Sequence, residues 1–265
     1  MTDDRRPGMQ VPNVYAGVLQ SSAKNLHERD QELARTLLTA VPSARLLAQH
    51  NRAFVLAAAE AAVRQHGITQ ILDLGAGRPM ERNVHDVAQA VDTVNVAYVD
   101  HSPEVVAHLE EHGAGAGRGS LGYLVADIRD PQLVLESSVV RETIDFTCPV
   151  AVLLAAVVPY ITDVDIPALL TEYTAALTPG SLVVLSHGTY DFAHTKVQTM
   201  QDVYQKFGIP SHMRSRDELH ALMDQAGVTV LPPGIVATNQ WHPGGHSRDA
   251  DPSEACMYGL WGRIG

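Results

Sequence analysis

Ile68-Thr69-Gln70-Ile71-Leu72-Asp73-Leu74-Gly75-Ala76-Gly77 is the stretch on which the fold reading turns. A short apolar run, broken by one acidic residue, passes directly into a glycine pair. That is the pattern of a buried strand leaving a sheet through a tight turn. Glycines at such a turn let the backbone bend sharply and approach a ligand closely. Read alone, the segment is a generic signal, since an ordinary strand-to-helix turn has the same composition.

Working outward, strands and helices alternate. On the N-terminal side, residues 52–65 read as an alanine-rich helix ending near Gly67. Leu33, Leu37 and Leu38 mark a more polar helical segment interrupted by Pro42, and residues 1–30 are a polar arm or short helices. On the C-terminal side, Val84, Val87, Ala88 and Val91 follow the spacing of one helix face. Val94–Val99 is a second strand ending in Asp100, and Ser102-Pro103-Glu104 starts a helix with serine as N-cap and proline in the first turn. Leu121–Ala126 is a third strand ending in Asp127. Val150–Val158 is a continuous apolar run, as expected of a parallel strand covered on both faces. Leu170, Tyr173, Thr174 and Leu177 lie on a helix stopped by Pro179-Gly180, and Leu182–Ser186 is a fifth strand. Ser215-x-x-Glu218 is a capping box before another helix. Val228–Leu231 and Ala255–Trp261 read as closing strands able to pair antiparallel. The expected fold is α/β: a doubly wound, mostly parallel, seven-stranded sheet with an antiparallel last strand and added N-terminal helices. Residues 1–50 are expected to form a helical arm or lid, and residues 51–265 the sheet domain.

Composition narrows the function. The 265 residues carry a formal net charge of −11 and show no basic cluster, which argues against a polymeric nucleic-acid ligand. No apolar run approaches the length of a membrane span, and the N-terminus has no signal-peptide core, so a cytoplasmic protein is expected. Cys148 and Cys256 fall in apolar stretches and read as buried free thiols.

Three strand ends carry the chemistry. A dinucleotide fingerprint would place a third glycine where Met80 stands, and a bulky residue there opposes close packing of a pyrophosphate. S-adenosylmethionine has no pyrophosphate and makes no such demand. Asp100, at the end of the second strand, can accept both hydroxyls of a ribose, although alone it would serve equally as a helix cap. Asp127-Ile128, at the end of the third strand, can meet an adenine through the carboxylate and the following N–H, although alone it could be a surface loop. The three in register form the candidate cofactor site: Asp73, Gly75, Ala76, Gly77, Asp100, His101, Asp127 and Ile128, with Ala155 at the end of the fourth strand. Gly113–Gly119 looks like a nucleotide loop but follows a helix and precedes a strand, so it reads as a connector.

The chain resembles the actinobacterial S-adenosylmethionine methyltransferase family long catalogued as a domain of unknown function. The resemblance lies in residues 40–190. It rests on Ala40-Val41-Pro42-Ser43-Ala44-Arg45, Asn51-Arg52-Ala53-Phe54, Asp73–Pro79, Tyr98-Val99-Asp100, Ala126–Pro131, Pro149–Leu154 and Leu185-Ser186-His187, and most specifically on Asn83-Val84-His85-Asp86-Val87-Ala88-Gln89. It implies a methyltransferase with S-adenosylmethionine as cofactor and S-adenosylhomocysteine as product. Members carry a Gly-Gly-Lys-Asp-Asn type segment in the N-terminal arm; here Ser21-Ser22-Ala23-Lys24-Asn25 replaces it.

The acceptor side is less defined. Tyr160, His187 and His85 are the candidate catalytic residues, with Tyr190, Asp191 and His194 on the same rim, although packing or structural hydrogen bonding explains each equally well. His242, His246, Asp249 and Asp251 lie in a Pro/Gly loop without metal-site spacing, and no metal is expected. Trp241 and Trp261 read as packing residues. The expected acceptor is a small molecule, such as a specialised metabolite with an aromatic or indole-like ring, methylated on N, O or C; a homodimer is compatible with the chain. The competing readings are a nicotinamide oxidoreductase and a non-catalytic cofactor-binding protein.

Overall fold

The computed structural model describes residues 11–19, 27–113, 117–161, 164–247 and 249–265. Three helices precede the sheet: α1 (Val11–Leu19), α2 (Glu28–Ala40) and α3 (Ala44–His66). The chain then alternates through β1 (Gln70–Leu74), α4 (Val84–Val91), β2 (Asn95–Asp100), α5 (Pro103–Gly113) and β3 (Leu121–Val125). Two short helices, α6 (Pro131–Glu136) and α7 (Ser138–Thr143), lead to β4 (Ala151–Ala155), α8 (Ile166–Ala175) and β5 (Leu182–Gly188). The remainder is α9 (His194–Lys206), α10 (Arg216–Gln225), β6 (Val228–Val230), β7 (Val236–Ala237), β8 (Trp241–His242), β9 (Gly245–His246) and β10 (Met257–Ile264).

Seven strands form the sheet in the order β3-β2-β1-β4-β5-β10-β6, and the two-residue β7 adds to β10 as an eighth. The first five strands run parallel, and β10 is antiparallel to both β5 and β6. The expected architecture is therefore present. The short β7 and the separate β8–β9 pair lie in the Pro/Gly loop that the sequence left unassigned.

Strand periodicity explains the two cores. Ile71, Leu153 and Val184 point to the side where α3, α4 and α5 pack. Leu72, Leu74, Val152, Leu154 and Val183 point to the side covered by α6, α7, α8 and α10. Successive side chains alternate between faces, so a strand covered twice must be apolar throughout. Asp73 shares the α3 side with Ile71, and this places a carboxyl beneath a helix.

Local signals set the helix ends. α2 stops at Val41 before Pro42, and α3 runs unbroken through residues 50 and 51 to a left-handed Gly67, whose N–H returns to the Ala62 and Val63 carbonyls. The Ser215–Glu218 capping box is formed: the Glu218 carboxylate accepts the Ser215 N–H at 2.7 Å. A third core ties the N-terminal helices to α9 through Val14, Val18, Leu33, Leu37, Val203 and Tyr204. This packing places α1 and α2 over the carboxyl ends of the strands. Residues 20–26, with the divergent Ser21–Asn25 segment, and residues 114–116 of the glycine-rich connector lie outside the described residues.

Gly259 on β10 faces the ring of Phe54, which is buried and packs edge-on to Trp241 at 5.1 Å. A Cβ there would stand 2.8–3.0 Å from three ring atoms that have nowhere to move. Gly259→Ala is expected to destabilise the fold by about 1–3 kcal/mol, read as a lower thermal midpoint; an unchanged midpoint would show that Phe54 can shift.

Candidate active site

A cavity of about 460 Å³ opens at the carboxyl ends of β1–β5 beneath the N-terminal helices. Its wall contains all nine residues expected to bind cofactor: Asp73, Gly75, Ala76, Gly77, Asp100, His101, Asp127, Ile128 and Ala155. They come from the ends of four adjacent strands, β3, β2, β1 and β4. At about 4.8 Å per strand gap the row spans about 14 Å, enough for an extended nucleoside. The row crosses the switch point of the sheet, where the chain leaves β1 between β2 and β4.

The turn after β1 is held by its neighbours. Gly75 and Ala76 donate their N–H groups to the Val99 carbonyl at 2.8 and 3.1 Å, and the Gly77 N–H reaches Asp100 Oδ2 at 3.0 Å. Gly75 has φ +75°, and a Cβ on it would stand 2.6 Å from Val157 Cγ2. Only glycine fits between the turn and the segment after β4. Asp100 is 1% exposed; its Oδ1 also accepts the Ser102 N–H at 3.0 Å and lies 3.4 Å from His101 Nδ1. Its carboxylate is thus locked in place with lone pairs left over.

Asp73 is buried, and burial lifts its carboxyl to about 7; the Arg52 guanidinium opposes this and the Asp100 carboxylate adds to it. Asp127 is half-exposed and differs. The Arg129 side chain grips both of its oxygens, the Arg129 N–H adds 2.9 Å to Oδ1, and these bonds hold the carboxyl below its ordinary value.

Beyond the glycine turn the cavity becomes an apolar chamber. Tyr160 sits in a single 3-10 turn after β4, half-buried, with its ring centroid 5.6 Å from that of the buried Tyr204 of α9. Burial drives both hydroxyls upward. Leu37, Leu47, Val197, Met200, Ile209 and Met213 are among the surrounding walls, and Tyr15 and Gln201 add polar atoms.

The two histidines expected near the chemistry lie elsewhere. His187 is fully buried behind the wall. Arg214 Nη1 donates to its Nε2 at 2.8 Å, its Nδ1 faces the Gly188 carbonyl at 2.8 Å, and burial lowers it to about 3. A neutral imidazole with both nitrogens occupied, off the cavity wall, fits a structural role better than the base expected from the sequence. His85 is likewise buried outside the cavity wall. Its N–H donates to the Tyr98 hydroxyl at 2.9 Å, and its Nδ1 lies 2.8 Å from the same oxygen. These contacts tie α4 to β2, and its place off the cavity wall likewise fits a structural role. Tyr190 stacks on His194, and Asp191 accepts the Tyr258 hydroxyl at 2.9 Å; none of the three lines the cavity. Trp241 and Trp261 pack edge-to-face as expected. Cys256 is buried, but Cys148 is exposed because it follows α7 in a surface turn beside Asp145. No group of three candidate metal ligands is found among the described residues.

Sequence reading missed Tyr15, Asn51, Arg52, Arg78 and Tyr204 on the wall. One signal was available. Leu47, Ala48, Asn51, Arg52 and Val55 share one face of α3, and a polar pair inside an apolar helical stripe calls for a partner.

The profile of the S-adenosyl methyltransferase family matches residues 12–265. A DUF574 family protein from Streptomyces avermitilis MA-4680 superimposes with a TM-score of 0.90 at 26% identity, covering 97% of this chain and 98% of that one. A protein from Thermobifida fusca YX, described provisionally as a methyltransferase, gives 0.87 at 27% identity over 97% and 95%. The mitomycin 7-O-methyltransferase MmcR shares the fold at 0.53 and 17% identity, over 90% of this chain and 69% of that one. No curated protein sequence matches the chain. The cavity wall fits the cofactor that the family name implies, since it offers a locked carboxylate for a ribose and a buried carboxyl for an ammonium. The chain belongs to the S-adenosyl methyltransferase family and is an S-adenosylmethionine-dependent methyltransferase.

Proposed function

We propose that the enzyme methylates an apolar, ring-bearing small molecule held in the chamber between Tyr160, Tyr204 and the N-terminal helices. One observation carries the reading: a polar row on four strand ends and an apolar chamber meet in one cavity at the Gly75–Val157 contact. An aromatic specialised metabolite has the chemistry for such walls. Among the described residues no helix is long and apolar enough to cross a membrane, and the acidic chain fits a small acceptor better than a nucleic acid.

When bound, S-adenosylmethionine supplies an electrophilic methyl group on a sulfonium. The protein supplies alignment and exclusion of water. Asp100 accepts the ribose hydroxyls with its remaining lone pairs. Asp127 and the N–H of Ile128 face the adenine, and Asp73, once ionised, faces the ammonium of the amino-acid end. Ala155 and the glycine turn leave room at the centre for the reacting atoms. Tyr160 stays protonated, because burial holds its proton, so it orients the acceptor by hydrogen bonding and is not a base. Turnover of S-adenosylmethionine with a panel of phenols, indoles and aromatic amines tests the substrate class. Methylation confined to charged, non-aromatic acceptors would contradict it.

Asp100→Ala is expected to weaken S-adenosylhomocysteine binding by about 1–3 kcal/mol in calorimetry, and unchanged affinity would misplace the ribose. Tyr160→Phe is expected to lower turnover while leaving that affinity near wild type; the reverse pattern would assign Tyr160 to the cofactor. Asp73 sets a pH dependence. Its carboxyl, raised to about 7, must be ionised to hold an ammonium, so affinity is expected to fall about tenfold per unit as pH drops below that value. The sign for stability is opposite. Between the ordinary 3.8 and about 7 the folded protein keeps a proton that the unfolded chain has lost. The unliganded enzyme therefore loses stability as pH rises through that window, by at most about 1.4 kcal/mol per unit. Asp73→Asn should abolish both slopes, as read by titration and urea melts at several pH values.

A further inference from the structure

Asn51 and Arg52, adjacent on α3, each carry a buried side-chain atom without a partner: Asn51 Oδ1 and Arg52 Nε. Of the described residues with such stranded atoms, these two line the active-site cavity. Native proteins rarely leave buried polar atoms unpaired, and each costs about 1–3 kcal/mol. Two neighbours on one wall therefore point to a shared ligand.

Their surroundings fix what they offer. The Tyr15 hydroxyl donates to the Ala48 carbonyl at 2.8 Å, so its lone pair must accept from Asn51, whose Nδ2 lies 3.1 Å away. That bond turns the Asn51 amide so that its oxygen is the free acceptor. Arg52 Nη2 is held by the Arg82 carbonyl at 2.5 Å and Asn83 Oδ1 at 3.2 Å, which fixes the guanidinium with its buried Nε–H as an unpartnered cationic donor. Arg52 also acts electrostatically on Asp73, the buried carboxyl beneath α3. The wall thus presents a cationic donor beside two acceptors. Its complement is a group bearing a carboxylate and an ammonium on one carbon, which is an α-amino acid.

We propose that Asn51 and Arg52 form, with Asp73, the clamp for the amino-acid end of the cofactor: Arg52 Nε–H donates to the carboxylate, and Asn51 Oδ1 accepts from the ammonium. This rests on the cofactor placement proposed above. Entry of the zwitterion would add one charge of each sign, the carboxylate beside the half-buried Arg52 and the ammonium beside Asp73, and both stranded atoms would gain partners. Arg52 is a binding residue here, while Asn83 and Tyr15 act as positioning residues behind it.

The test is calorimetry with three ligands: S-adenosylhomocysteine, its decarboxylated analogue, and 5′-methylthioadenosine, which keeps the nucleoside and lacks the amino acid. Wild-type protein should bind S-adenosylhomocysteine at least about tenfold more tightly than the decarboxylated analogue, as for a hydrogen bond between charged groups. Arg52→Met should erase most of that difference while changing the affinity for 5′-methylthioadenosine less than about threefold. Asn51→Leu should likewise spare 5′-methylthioadenosine and weaken S-adenosylhomocysteine. Equal losses for all three ligands would make Arg52 a fold-supporting residue and overturn the clamp. So would a wild-type protein indifferent to the carboxylate, a comparison that needs no variant to fold. Failure of wild-type protein to bind 5′-methylthioadenosine at any concentration would instead overturn the nucleoside placement on Asp100 and Asp127, and the clamp with it.

Discussion

The contact between Gly75 and Val157 is the constraint on which the site depends. The chain leaves β1 at the switch point of the sheet, and the segment after β4 crosses directly over that exit. With 2.6 Å between Val157 Cγ2 and the position a Cβ would occupy, no other side chain passes. The close crossing lets one cavity be polar on one side and apolar on the other. To one side, the turn is pinned by the Val99 carbonyl and the Asp100 carboxylate, so the β2 carboxylate is aimed by the same hydrogen bonds that shape the turn. To the other side, Ala156, with φ +54°, swings the chain into the 3-10 turn that carries Tyr160. Backbone in that region is costly for a residue with a Cβ and persists where the surroundings impose it. Here the Ala156 N–H is taken by Ser186, through its carbonyl and its hydroxyl at 3.1 and 2.9 Å.

Electrostatics then separates two carboxyls that look alike in sequence. Asp127 is half-exposed and held ionised by Arg129, whereas Asp73 is sealed under α3 and shifted toward neutrality by burial. A buried charge without full compensation is expensive. Such a site suits a ligand that carries its own positive charge. A sulfonium amino acid brings two such charges at neutral pH, a match to the wall that a nicotinamide dinucleotide with its pyrophosphate lacks.

The sheet and the strand-end row that lines the cavity were legible because their signals are local. Strand periodicity, the glycine pair and an acidic residue at successive strand ends depend on residues within a few positions of one another. The acceptor side was not, because it is assembled from distant segments. Tyr15, Tyr160 and Tyr204 come from α1, the segment after β4, and α9, and no spacing in the sequence announces that they meet. The surroundings of His187 were hidden for the same reason. Its place at the end of β5 suits a base, but the deciding partner, Arg214, lies 27 positions away and fills its second nitrogen. His85 belongs to the most family-like run, and its role is to tie α4 to the Tyr98 hydroxyl, a tertiary bond that a motif cannot reveal. Arg52 was within reach, since it breaks an apolar helix face, yet the face is recognisable only once Pro42 is known to end one helix and α3 to begin right after it.

On the placement proposed above, one ligand lies across β3, β2, β1 and β4 with its sulfur turned toward Tyr160. A crystal structure of the complex with S-adenosylhomocysteine measures this directly. Adenine is expected beside Asp127 and Ile128, the ribose hydroxyls on Asp100, the amino-acid end against Asp73 and α3, and the sulfur facing the chamber of Tyr160 and Tyr204. A ligand bound with its sulfur turned away from that chamber, or with its ribose off Asp100, would contradict it.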